Sequence, residues 1–189
     1  MTTSERSLRH AIAAAILLMA FFASTASAIE PTVPPDVQAA IIAKVWQFDR
    51  NFPRHVPMTL GVLYQAKYRA SFVAAHDLCD AFARAKLPVQ CILIDISEGP
   101  AIDDQLSQRN VDAIYIAPLR AIDVGMLVLV SRAKRIRTVT SVEEYVMAGV
   151  AVGLALSGDH AQIVINLPAA RAEGADFSSQ LLKMARVIQ

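Results

Sequence analysis

The chain has 189 residues, 18 Lys and Arg against 17 Asp and Glu, and 54% hydrophobic side chains. Near-neutral charge argues against nucleic acid or an anionic membrane surface as the partner, since both select a basic surplus. Two cysteines and four scattered histidines exclude a dense disulfide framework and make a metal site a poor fit.

The first residues read as an export signal. Arg6 and Arg9 form a positive n-region, "AIAAAILLMAFFA" an apolar core, and Ala26-Ser27-Ala28 a small-residue cleavage site. The apolar core falls short of the roughly 20 residues a spanning helix needs. A cleaved signal peptide at 1–28 is therefore favoured over a retained anchor, and no Cys near the cleavage site supports lipidation. The expected mature chain, 29–189, has a one-domain length and a periplasmic destination. Cleavage removes Arg6, Arg9 and Glu5 and leaves 16 basic and 16 acidic residues.

Residues 29–36 are Pro-rich and extended. From Val37 to about Asp49, Val37, Ile41, Val45 and Phe48 recur at helical spacing, and Pro53 and Pro57 break the chain. Strand and helix patterns then alternate. Strands are predicted at 58–64, 91–96, 112–117 and 136–140, with helices over 68–86, from Ser97 to about Asn110, and over 119–133. Ser141 and Glu144 suggest a capping box. A hairpin is expected from 150–157 and 162–167 around Gly158-Asp159-His160. Leu167-Pro168 begins a helical turn that Gly174 ends, and a closing helix follows from Phe177 to Ile188, capped by Asp176. This order predicts a single α/β domain: a mixed, mostly parallel sheet with helices on both faces, a C-terminal β-hairpin and a closing helix.

Cys79 and Cys91 read as a structural disulfide in an oxidising compartment, with two buried free thiols as the alternative; their spacing excludes a C-x-x-C redox pair. Open α/β sheets bind ligands beyond the carboxyl ends of their strands. Lys67, Glu98 and Arg120 occupy those loops, as a candidate anion site or as ordinary solvated charges. No nucleophile elbow, Ser/His/Asp pattern or phosphate-cradling Gly loop occurs, so no catalytic residue and no cofactor are expected. The acidic pairs Asp103-Asp104 and Glu143-Glu144 suit helix N-termini. Arg132, Lys134, Arg135 and Arg137 are explained by favourable contact with helix-end carbonyls.

In the ending, Phe177, Leu181, Met184, Ala185 and Ile188 form one apolar stripe, and Leu182 falls outside it. Here "INLPAARAEGADFSSQLLKMARVI" resembles the terminal signature of the YfiR family of periplasmic proteins. The matching positions are Ile165-Asn166, Ala169-Ala170-Arg171, Ser178-Ser179, Leu181-Leu182 and Ala185-Arg186. The chain departs from the family where Ile163-Val164 stands for Phe-Glu and Ala148-Gly149 for Gly-Gly. Relatives also carry more cysteines, differently spaced. The resemblance implies a non-enzymatic regulator that binds the periplasmic domain of an inner-membrane sensor or diguanylate cyclase and represses cyclic-di-GMP synthesis. Arg171 and Leu182 are the candidate partner surface, and a homodimer is a further expectation. A small solute-binding domain is the alternative. A deep pocket lined by Lys67, Glu98 or Arg120 would favour the alternative, and an apolar surface patch the regulator.

Overall fold

Apolar residues alternate along the central strands and separate two hydrophobic layers, as seen in a computed structural model that describes residues 32–97 and 102–189. The expected leader with its cleavage site, and Glu98, lie outside the described residues. In β1 (Met58–Tyr64), Leu60 and Val62 face one layer while Leu63 faces the other. In β3 (Ala113–Ile116), Ala113 and Tyr115 oppose Ile114 and Ile116 in the same way. Period-two burial on both faces requires helices on both faces.

The first face carries α1 (Pro35–Val45) and α2 (Arg69–Arg84). Gln38 secures α1: its amide donates to Val33 O and accepts from the buried Tyr115 hydroxyl at 3.0 Å. The second face carries α3 (Ile102–Arg109) and α4 (Val124–Lys134), packed through Leu106, Leu127 and Val128.

Seven strands form one sheet in the order β2-β1-β3-β4-β5-β6-β7. The remaining strands are β2 (Val89–Asp95), β4 (Arg137–Thr140), β5 (Val152–Ser157), β6 (His160–Asn166) and β7 (Arg186–Ile188). The first five pair in parallel, β5 and β6 form the antiparallel hairpin, and β7 runs parallel to β6. The expected mixed, mostly parallel α/β architecture is present. Cys79 on α2 and Cys91 on β2 are bridged, with Cα atoms 5.6 Å apart. The bridge ties an edge strand to its crossover helix and contributes roughly 3 kcal/mol on the loop-entropy model.

Five local expectations need correction. The closing helix is α7 (Ser179–Met184) alone, and Arg186, Val187 and Ile188 pair with Val164, Ile165 and Asn166. The outer edge of β6 offers unpaired backbone groups, and the β-branched Val187-Ile188 pair suits a strand better than a helix. Asp176 does not cap α7; Ser178 does, its Oγ accepting from Leu181 N, while Asp176 pairs with Arg50. Ser141 does not cap α5 (Glu143–Met147), because its hydroxyl is engaged by Tyr115 at 2.7 Å and the helix starts after Val142. Residues 119–122 are not helical: Leu119 is gripped by the Tyr145 hydroxyl, and Asp123 caps α4 through Gly125 N. Arg137 is not a helix-end cation but a buried strand residue.

Candidate functional site

Helix α1 has two apolar faces, more than one sheet contact requires. Ala39, Ile42 and Val45 are buried. Val37, Ile41 and Phe48 turn toward α7, where with Ile163, Leu181 and Met184 they line an apolar groove of about 510 Å³. Asp36 and Lys44 are its polar members. Val37 is 39% and Met184 57% exposed, a large cost in apolar hydration for side chains with no partner. Contiguous exposed apolar surfaces of this kind mark interaction sites or ligand-binding grooves.

The sequence reading grouped Val37 with Ile41, Val45 and Phe48 and put Met184 in one stripe with Phe177 and Leu181. It extended one 3.6-residue stripe from Phe177 to Ile188, but α7 ends at Met184, so the period does not carry across. Leu182 is half-buried and packs on the core, whereas Met184 opens to the groove. Arg171 is exposed on α6 (Leu167–Ala172), which Asn166 caps by accepting from Ala169 N at 3.0 Å.

The groove walls are held by a buried polar network that sequence reasoning missed. Asp49, fully buried, accepts from Arg137 Nε at 2.9 Å through one oxygen. Its other oxygen accepts from Asn51 N and Asp176 N. Arg137 also donates to the carbonyls of Arg135, Glu173 and Gly174. Backbone bonds Ser178 N to Phe48 O and Arg50 N to Asp176 O stitch the end of α1 to the start of α7. Glu173 accepts from Thr138 N at 2.9 Å and from the Thr138 hydroxyl at 2.5 Å. Burial pushes its carboxyl up to about 7 although the bonds from Thr138 and the charges of Arg132 and Arg137 oppose the rise.

A raised acid binds more protons in the folded than in the unfolded state, so its contribution to stability falls as pH rises. The stability of the wild type relative to Glu173→Gln is expected to be greatest below the ordinary carboxylate value of 4.5 and to decline up to about 7, then level off. Urea unfolding of both proteins across that range tests it; parallel curves would rule it out.

The two cations predicted for the ligand loops share one place. Lys67 follows β1, Arg120 follows β3, and both line a cleft of about 280 Å³ with Gln65, Tyr68 and Ser97. Gln65 spans the loops, accepting from Arg120 N at 2.6 Å and donating to Arg120 O at 3.2 Å. Among the described residues no group of three His, Cys, Asp or Glu is arranged to hold a metal ion.

No curated protein matches the chain. Solved structures show its fold at low identity. The ABC domain in complex with L-Trp from Streptococcus pneumoniae aligns with TM-score 0.58 and 16% identity, over 82% of this chain and 62% of that one. A conserved domain protein from Vibrio cholerae aligns with TM-score 0.59 and 11% identity, over 82% and 60%. A ligand-free, open substrate-binding protein with adhesive properties from Clostridium difficile aligns with TM-score 0.59 and 14% identity, over 78% and 59%. The chain thus spans about three fifths of the length of these structures. The YfiR/HmsC-like family model matches residues 36–186, which include every described strand up to the first residue of β7, and the chain belongs to that family.

Proposed function

We propose that this chain is a periplasmic, non-enzymatic regulator that binds the periplasmic domain of an inner-membrane sensor or diguanylate cyclase through the groove between α1 and α7. The observation that carries this reading is the exposed apolar pair Val37 and Met184 across a groove of about 510 Å³. Membership of the YfiR/HmsC-like family supports it. The strand-end cleft is smaller and more polar, and the exposed apolar surface is the one assigned to the protein partner.

A Val37→Asp/Met184→Asp variant tests the assignment. Surface substitutions of this kind change stability little, so the thermal melt is expected to stay close to wild type. In cells lacking the chain, wild type is expected to lower cyclic-di-GMP, and the double variant, exported to the same level, to leave it high. If cyclic-di-GMP does not respond to the wild-type chain, the regulator reading fails. If the variant represses as well as wild type, the groove is not the docking surface.

A further inference from the structure

The second cleft lies away from the groove, beyond the carboxyl ends of β1, β2 and β3. The chain leaves β1 through α2 on one face to form β2, then crosses through α3 on the other face to form β3 on the far side of β1. Consecutive loops therefore diverge at the β1/β3 boundary, the place where open α/β sheets hold ligands.

Several features prepare this crevice before any ligand arrives. The double hydrogen bond between Gln65 and the Arg120 backbone fixes the separation of the two loops. Ala121, beside Arg120 in the cleft wall, holds φ at 57°, a left-handed conformation that costs a non-glycine residue free energy. Asp95 accepts from Ala66 N, Ser97 N and Ser97 Oγ, at 3.1, 2.9 and 2.6 Å, and so anchors the loops after β1 and β2 to each other. Burial acts to raise the Asp95 carboxyl, but these bonds and the charge of Lys67 outweigh it and hold it below the usual carboxylate range. Asp95 thus stays ionised and offsets one of the two cations. Among the described residues, Lys67 and Arg120 bring two positive charges to the cleft against the one negative charge of Asp95. Helix α2 starts at its rim with no side-chain cap and no acidic residue in the first turn, which adds positive potential. The Ser97 proton is committed to Asp95, so its oxygen remains as an acceptor for a ligand hydroxyl, and Tyr68 lines the same wall.

We infer that this cleft binds a small hydroxylated solute bearing one oxyanion group, a phosphate or a carboxylate, with Arg120 as the principal anion contact. The volume of about 280 Å³ is room enough for a solute of this kind. The site does not depend on the α1–α7 groove or on a protein partner.

Isothermal titration calorimetry on the purified chain at low ionic strength tests this with four probes: inorganic phosphate, glycerol 3-phosphate, D-glycerate and neutral glycerol. At least one of the three anions is expected to bind at a single site, and glycerol not at all. Tighter binding of glycerol 3-phosphate would assign phosphate chemistry, and of D-glycerate carboxylate chemistry. Arg120→Ala is expected to weaken binding about tenfold or more, the loss of a charge-assisted contact. Arg109→Ala removes an exposed arginine at the end of α3 and is expected to leave binding unchanged. No heat with any anion, equal weakening by both variants, or binding of glycerol as tight as that of the anions would overturn the inference.

Discussion

Asp49→Ala is expected to destabilise the fold by about 3–5 kcal/mol, because it leaves the guanidinium of Arg137 buried without its counter-charge. Asp49 is fully buried and Arg137 only 5% exposed, so water cannot replace the lost carboxylate without opening the structure. The same deletion strands the N–H groups of Asn51 and Asp176, which the second carboxylate oxygen serves. Asp49→Asn retains an acceptor for those two groups but loses the charge and turns an amide donor toward Arg137 Nε, so it is expected to recover only part of the loss seen with alanine. Replacing both partners, as Asp49→Ala with Arg137→Met, is expected to recover part of the loss, since an apolar pair carries no desolvation penalty. Urea unfolding of the four proteins decides the matter. An alanine variant within about 1 kcal/mol of wild type would show that the pair is not a structural clasp.

The consequence reaches the groove. Asp49 follows the 3₁₀ turn Trp46–Phe48 that ends α1, and its backbone bridges to Phe177 just before α7. Trp46 stacks on Phe52 at 5.4 Å and on Phe177 at 6.1 Å, while Arg137 lies 6.0 Å over the Phe52 ring. One ion pair therefore fixes both groove walls, and its loss is expected to impair partner docking even in molecules that remain folded.

What the sequence made legible and what it hid follow from the range of the interactions. The parallel strands were visible because burial on both faces leaves near-continuous apolar runs such as Cys91–Ile94, a local signal. The disulfide was visible because only two cysteines exist. The convergence of Lys67 and Arg120 followed from the rule that ligand loops gather at strand ends, although their distance in sequence gave no hint of the Gln65 clamp. Arg137 was hidden. Next to Arg132, Lys134 and Arg135 it looked like one more surface cation, and its partner Asp49 is 88 residues away. The edge strand β7 was hidden for a related reason: Arg186–Ile188 continues a helical apolar stripe, and only the unpaired edge of β6, formed some twenty residues earlier, draws it into the sheet. The groove had a signal that went unused. Helix α1 and the 3₁₀ turn after it carry Val37, Ile41 and Phe48 on one side and Ala39, Ile42 and Val45 on another, wider than a single buried face needs.

Leu181→Ala is expected to cost about 2–5 kcal/mol, the range for truncating a buried leucine that leaves a cavity. Leu181 is 1% exposed and belongs to the larger core cluster, yet it sits in a helix of six residues. A helix that short has no stability of its own, so what holds α7 is tertiary: the Leu181 side chain, the Ser178 cap and the pairing of β7 to β6. Removing the side chain is therefore expected to loosen the strand that follows as well as the helix. Met184, three residues on, projects into the groove, and Met184→Ala is expected to stay within about 0.5 kcal/mol of wild type while weakening partner binding. Leu182, half-buried against the core, is expected to lie between the two in stability. Thermal melts of the three alanine variants, read beside cellular cyclic-di-GMP, separate the roles. If Leu181→Ala and Met184→Ala destabilise equally, Met184 is a core residue and the groove is closed in solution. If Leu181→Ala melts early and Met184→Ala alone releases the partner while fully folded, one six-residue helix supports the fold on one side and the docking surface on the other.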